Sequence, residues 1–287
     1  TWLVLSSQHV LAKSDTSYQV SFENAVHHEA RISVTFPEIK TQVLTVQMSR
    51  TSPGRYALHE FAKNVYSVTA VNSVGKPLKI TRPNPYQWAI ANHDGEVTVT
   101  YTLFGDRADG TYSQIDRTHA HLNIPATFMW ALGHEERAIK VDFEPFSAKW
   151  KVATQLKKTN NKYSFTAPNL AYFMDSPTEL SDHQVKSWLV NSNGKGYKIN
   201  LAVHHNGIEE DLVECVIGLG PNMFYNSPME ACLLISNTNK PSDRKDKIIF
   251  INAVKELFQA AIKIDSNLKK RIFKHNSGKG AKFTIFS

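Results

Sequence analysis

The chain has 287 residues, with 33 Lys and Arg against 26 Asp and Glu, a formal net charge of +7. Hydrophobic residues make up 41% and charged residues 21%. That excludes a mostly disordered chain and leaves material for one large domain or two ordinary ones. No run of about 18 apolar residues occurs, so no membrane-spanning helix is expected.

In chain order, residues 1–16 come first. They open "TWLVLSSQHVLA", an apolar run ending in small residues before a polar stretch. Two readings stand: the remnant of a secretory signal cleaved after Ala12, or an ordinary N-terminal strand. The first makes the protein exported, periplasmic or secreted.

Residues 17–207 read as strands. Apolar and polar residues alternate at 18–22, 30–36, 43–48, 66–71, 86–90, 96–104, 138–143 and 197–204. A period of two marks strands with one buried face. Turn signals separate them: "SPG" at 52–54, "SVGKP" at 73–77, "RPNP" at 82–85, "NHDG" at 92–95 and "NSNGKG" at 191–196. Helices between the strands, which a parallel α/β fold requires, are not seen. The expected fold is mainly β, an antiparallel β-sandwich or saddle-shaped double sheet.

Residues 208–287 differ. Ile251, Val254, Phe258, Ile262 and Leu268 recur near helical spacing, and Ser242 and Asp243 after Pro241 suit a cap. One amphipathic helix is expected over about 245–273, in a small helical C-terminal segment. The basic stretch "LKKRIFKHNSGKGAK", 268–282, reads as a solvated tail. No RNA-binding, zinc-finger or helix-turn-helix pattern accompanies it, so no nucleic-acid partner is expected. Cys215 and Cys232 fit either one disulfide or two buried thiols. They are too few for a cysteine-based zinc site.

Histidines carry what chemistry the residues suggest. Of the 12 in the chain, four groups stand out: His27–His28, His59–Glu60, His119-x-His121 and His204–His205. On a strand His119 and His121 share a face, whereas adjacent histidines point to opposite faces. A metal site using His119, His121 and either His204 or His205 is conceivable, because a metal needs three converging ligands. Hydrogen-bonded surface histidines are the commoner outcome. "HEFAK" at 59–63 begins like the zinc helix H-E-x-x-H, but Lys63 stands where the second histidine is needed. "GHEERAIK" at 133–140 has Ala138 there. No G-x-S-x-G elbow, Walker A loop or G-x-G-x-x-G occurs.

Several stretches together resemble the N-terminal region of the glycyl aminopeptidase family of zinc metallopeptidases, in the thermolysin-like clan. They are "YQVSFENAVHHEARISVTFP" (18–37), "SPGRYALHEFAKNVYSVTA" (52–70), "RTHAHLNIPATFMWALG" (117–133), "FEPFSAKWKVATQL" (143–156) and "APNLAYFMDSPTEL" (167–180). The resemblance covers roughly residues 17–212. It implies that Glu60 is the family's residue and His59 incidental, so "HEFAK" is no damaged zinc site. Family members bind zinc through H-E-x-x-H in a thermolysin-like domain that follows this one. This chain has no H-E-x-x-H anywhere. The resemblance therefore implies a substrate-positioning domain with no catalytic residues, no metal and no cofactor of its own, zinc belonging to the full-length family. Its partners would be a peptide substrate or a catalytic metallopeptidase domain. In relatives the N-terminal domain roofs the cleft. "THAHLN" (118–123) is the candidate cleft edge, where His119 and Asn123 would hydrogen-bond a substrate backbone or amine, or else merely tie down a strand end. Two alternatives stay open: an exported binding module using Tyr86, Trp88 and Trp130 on a glycan or protein, and an enzyme built on the histidine site. Soon after residue 205, "VHHNGIEEDLVECVIGLGPNMFYN" (203–226) begins like the family and then departs from it.

Overall fold

The computed structural model describes residues 15–53, 57–192, 195–204, 213–218, 232–236, 243, 249–252 and 284–286. The chain forms two compact units, Thr1–Ser52 with Tyr56–His204, and Pro53–Arg55 with His205–Ser287.

The first unit holds seventeen described strands and two short helices. The strands are β1 (Thr16–Ser21), β2 (Glu29–Phe36), β3 (Val43–Gln47), β4 (Val65–Val71), β5 (Ile80–Asn84) and β6 (Gln87–Ala91). Next are β7 (Val97–Phe104), β8 (Gln114–Ile115), β9 (His119–Leu122), β10 (Trp130–Ala131), β11 (Ile139–Glu144) and β12 (Lys151–Ala153). The last are β13 (Lys157–Lys158), β14 (Ser164–Ala167), β15 (Thr178–Ser181), β16 (Gln184–Ser192) and β17 (Lys195–Val203). The helices are α1 (Ile124–Thr127) and α2 (Leu170–Met174). Every strand expected from alternation is present.

The largest sheet has seven strands in the order β13-β14-β11-β1-β2-β7-β4. Its centre shows why alternation is informative. Ala30, Ile32, Val34 and Phe36 of β2, and Val97, Val99, Tyr101 and Leu103 of β7, are almost wholly buried. The antiparallel register sets Ile32 opposite Tyr101 and Val34 opposite Val99. Apart from Arg31, the intervening residues are hydroxylic. Thr35 and Thr98 join Oγ1 to Oγ1 at 2.8 Å, and Ser33 meets Thr100 at 3.2 Å. A one-residue slip would exchange the two faces, so the pattern fixes the register.

Two further sheets, β10-β3-β6-β5 and β12-β15-β9-β8, share one continuous core with the first. Leu44 and Val46 of β3 and Trp88 and Ile90 of β6 enter it from the second sheet. Leu122 of β9 and Leu180 of β15 enter from the third. The turns follow local chemistry. Asn72 accepts from the amides of Val74 and Lys76 through its side chain, and Gly75 takes a φ of 78°. The "RPNP" signal marks the β5–β6 hairpin, but its first three residues extend β5, which runs through Ile80–Asn84, and the turn itself falls at 85–86. Pro83 is tolerated there because β5 is an edge strand, where a missing N–H costs no ladder bond.

Between β9 and β10 the chain crosses the interior as α1, all four of whose residues are buried. A buried irregular segment must find partners for its backbone groups. Tyr18 Oη donates to Met129 O at 2.8 Å, and Tyr101 Oη donates to Thr127 O at 2.9 Å. Tyr101 Oη also accepts from Met129 N at 3.0 Å. Burial pushes the pKa of both phenols above the usual tyrosine value.

The second unit's described strands are β18 (Val213–Gly218), β19 (Cys232–Ser236), β20 (Ile249–Asn252) and β21 (Thr284–Phe286), in the order β20-β18-β19-β21. They correct the expected helix over 245–273. Its early part contains β20, paired in parallel with β18 from Cys215↔Ile249 to Gly218↔Asn252. The continuous apolar run "IIFI" at 248–251 suits a strand covered on both faces, and periodicity alone does not separate that from a helix. Residues 253–273 of the expected helix, the basic stretch 268–282 and residues 1–14 lie outside the described residues. The ladder sets Cys215 opposite Ile235 and Cys232 opposite Gly218. Three strand positions, roughly 10 Å, separate the cysteines along the ladder, beyond the Cα separation of about 7 Å that a disulfide spans.

Tyr101→Phe removes one acceptor and one donor from the buried 127–129 segment. It is expected to cost about 1–3 kcal/mol, read as a lower denaturant midpoint at unchanged slope.

Candidate functional site

The site predicted from sequence begins at β9, which lies between β15 and β8. Strand alternation sends Ala120 and Leu122 into the core, both fully buried, and leaves His119 and His121 on the other face. Cross-strand register sets His121 opposite Glu179 and His119 opposite Ser181. His121 Nδ1 lies 3.3 Å from Glu179 Oε2. His204, immediately after β17, places its Nδ1 3.6 Å from Glu179 Oε1. The rings of His119 and His204 meet with centroids 4.8 Å apart. The four side chains are 16–26% exposed: His119, His121, His204 and Glu179 border solvent without standing free in it.

A tight turn before β9 orients His119. Asp116 Oδ1 accepts from the amides of Thr118 and His119 at 2.6 and 3.0 Å and from Thr118 Oγ1 at 2.6 Å. Burial raises the Asp116 carboxyl, but these hydrogen bonds and the nearby His119 outweigh it and hold it below the usual range. His119 Nδ1 sits 3.3 Å from the same oxygen. Behind the cluster lies His183, 2% exposed, with Nδ1 3.2 Å from Ser181 Oγ. Burial pushes its pKa down, Lys151 and His204 push it further, and Glu179 and Asp182 oppose them.

The two residues singled out in sequence therefore part company. His119 is at the surface. Asn123 is 7% exposed and stands at the N-terminal cap position of α1, its side chain making no bond to the helix. Its Nδ2 donates to Thr111 O, its amide nitrogen and oxygen lie 3.2 and 3.3 Å from Ser52 Oγ, and its backbone N–H donates to Ser113 Oγ. Ser113 in turn meets Thr127 Oγ1 at 2.7 Å. Asn123 ties three segments together beneath the edge.

His119, His121 and His204, one of the metal sets conceivable from sequence, do gather in one place. Yet among the described residues no group of three or more His, Cys, Asp or Glu side chains is arranged to hold a metal ion. His205 lies outside the described residues. Sequence reading missed Glu179, Asp116 and His183. The first is identifiable only once β15 is known to pair with β9.

The other candidates have structural surroundings. Residues 61–64 form a short 3-10 turn leading into β4, and the His59 ring stacks on Phe61 at 5.1 Å. Lys63 lies over the Tyr112 ring at 5.7 Å. Of the aromatics proposed for a glycan, Trp88 is 2% exposed in the core. Trp130 donates its Nε1–H to Ser49 Oγ, and Tyr86 lies half-buried beneath Arg50.

The depressed pKa of His183 gives a pH dependence. The unfolded chain takes up the proton first, from its ordinary value of 6.5. The folded state's advantage is thus complete above that pH and is lost as the pH falls toward the lower folded value. His183→Asn is expected to flatten stability between about pH 7 and 5, read by denaturant unfolding at each pH.

Comparison with known proteins agrees with this architecture and adds to it. The family model of the peptidase M61 N-terminal domain matches residues 17–182. An aminopeptidase N family protein of Idiomarina loihiensis superposes with a TM-score of 0.60 at 18% identity, over 66% of this chain and 33% of that one. At that identity the likeness shows the fold. A second family model, N-6 DNA methylase, matches residues 114–277. The chain is also similar to the MjaVIII and MjaVII methylase subunits of type I restriction enzymes from Methanocaldococcus jannaschii. They share 49% identity over 49 residues and 43% over 60 residues, or 17% and 21% of this chain. The chain spans about a tenth of those relatives, 8% and 10% of their lengths. Where the two models overlap, at 114–182, β8 to β15 pair with one another and with the strands preceding them: β11 is bonded to β1, and β10 to β3. The chain therefore belongs to two families, that of the peptidase M61 N-terminal domain, which its first unit carries, and that of the N-6 DNA methylases, whose match runs from the first unit into the second.

Proposed function

We propose that the first unit is the substrate-positioning N-terminal domain of a metallo-aminopeptidase-like protein, non-catalytic in this chain and working with a catalytic metallopeptidase domain. The observation that carries this reading is the family match over residues 17–182. The solvent-bordering face of β9 supports it. His119 and His121 border solvent beside the Glu179 carboxylate, a mixture of imidazole and carboxylate groups suited to a peptide backbone or a free ammonium group. Asn123 acts from below as a positioning residue. The zinc that the family uses does not fit the residues present: H-E-x-x-H does not occur in the sequence, and no metal-holding group stands among the described residues. An exported location completes the proposal.

The N-6 DNA methylase match favours a second reading for the rest of the chain: a portion of a methylase-type subunit, for which DNA is the natural partner. A gel-shift assay with duplex DNA at low and high salt tests it, salt-sensitive binding being the expected result. No shift at low salt would remove it. The glycan-binding alternative has less to stand on, given where Trp88 and Trp130 lie.

The first reading is tested with glycyl and alanyl anilides in the presence of zinc. No chelator-sensitive hydrolysis is expected, and such turnover would overturn it. In titrations with a short peptide bearing a free amino end, His119→Ala is expected to weaken binding about three- to tenfold, the loss of one hydrogen bond. Asn123→Ala is expected instead to cost about 1–3 kcal/mol of stability.

A further inference from the structure

We propose that the lysine cluster of residues 145–174 is a contact surface for duplex DNA on the first unit, an inference that rests on the methylase-type reading of the chain. This stretch holds Lys149, Lys151, Lys157, Lys158 and Lys162 and no Asp, Glu or Arg, so it carries +5 of the chain's net +7. All five lysines are exposed. Lysines on a sheet edge guard it against pairing with another chain. That accounts for Lys157 and Lys158 on β13, but Lys149 and Lys162 stand in turns.

The fold brings them to one corner. β13 and β14 pair antiparallel through Lys157↔Thr166 and Lys158↔Phe165, so the turn that carries Lys162 follows directly on Lys158. Tyr163 Oη donates to Trp150 O at 2.9 Å, which draws Lys149 and Lys151 to the same turn. Lys162 Nζ lies over the Tyr163 ring, 4.4 Å from its centroid. Lys151 is paired with Asp182 at 3.7 Å. Lys149, Lys157, Lys158 and Lys162 make no ion pair among the described residues. Ammonium groups gathered without carboxylates attract a polyanion and displace its counterions.

A surface of matching chemistry runs on from this corner. Register places Lys157, Thr166, Lys140, Ser17, Thr35 and Thr98 in one row across the seven-stranded sheet, on the face turned away from the core. Its strand spacings add to roughly 24 Å. Lysine with Ser and Thr hydroxyls is a donor set that phosphate oxygens take, and it positions a nucleic-acid backbone without reading its sequence. Lys140 holds the one acid beside it on β11, Asp142, at 2.9 Å. A membrane surface would need an apolar face next to the lysines. Phe146, at 39%, is the only large apolar side chain exposed in 145–174. The N-6 DNA methylase match at 114–277 contains the whole cluster, which favours DNA among the polyanions.

The test is fluorescence anisotropy of the full chain with a labelled duplex of about 20 base pairs, between about 50 and 200 mM salt. A combined variant carries Lys149→Gln, Lys157→Gln, Lys158→Gln and Lys162→Gln. At roughly 0.9 in log–log slope per phosphate contact, it is expected to lower the salt dependence by about 3–4 and weaken binding about tenfold or more at 100 mM salt. A control of equal net charge carries Lys40→Gln, Lys76→Gln, Lys79→Gln and Lys186→Gln, all exposed and outside the cluster. Its slope is expected to stay within about 1 of the wild type. Exposed positions tolerate these changes, and an unchanged denaturant midpoint shows each variant folded. A full slope in the cluster variant, or an equal loss in the control, removes the surface and leaves the DNA reading standing. No binding by the wild type at low salt removes both. Binding to vesicles of phosphatidylserine and phosphatidylcholine as tight as to the duplex, and lost in the cluster variant, would assign the surface to membranes and overturn the proposal.

Discussion

The first unit depends on a buried crossing. Between β9 and β10 the chain passes through the interior, and its backbone groups there are beyond the reach of solvent. Tyr18 and Tyr101, on the same face of the large sheet in the strands that flank β2, close on Thr127 and Met129. Asn123, Ser113 and Thr127 close the other side through hydroxyl and amide groups. Low dielectric makes each of these bonds strong when made and expensive when missing. Three sheets meet around this segment, so its satisfaction couples them. Phe128, wholly buried, packs edge-on against Tyr18 at 5.1 Å, and Phe173 of α2 stacks on the same ring at 5.3 Å.

This arrangement also positions the candidate site. Asn123 ends the "HAHL" strand and begins the crossing, so the exposed histidines of β9 are anchored directly to the most constrained part of the core. The face of β9 that carries them borrows its rigidity from the interior, as positioning sites built on sheets do.

The chain joins pieces with different affiliations. The peptidase-type unit has a continuous core and is antiparallel apart from one parallel pair, β1 with β11. The second unit's described strands also include a parallel pair, β18 with β20, and each such pair needs a crossover connection. The overlap at 114–182 is settled physically for folding: a central strand such as β11, bonded on both sides within the seven-stranded sheet, cannot belong to a separate unit.

What the sequence determined by itself was local. Alternation in "ARISVTF" and "EVTVTYTLF" set strand type and face, because a period of two has one geometrical meaning when one side is buried. Asn and Gly at 72–75 and 92–95 set turns through their own side chains or backbone freedom. The pair His119 and His121 was legible as two groups on one face. Local signals were ambiguous in two places: "RPNP" marked the β5–β6 hairpin but gave its first three residues to the strand, and the apolar run at 248–251 fitted both a helix and a strand. Only the tertiary structure decided the rest. Asn123, which the sequence left open between a substrate contact and a tie at the strand end, is buried against Ser52 and Thr111 from other loops. Glu179 carried no signal until β15 was laid against β9, and His204 joined them only because the hairpin returns to its base. Long-range register brings such groups together, and no short window of sequence encodes it.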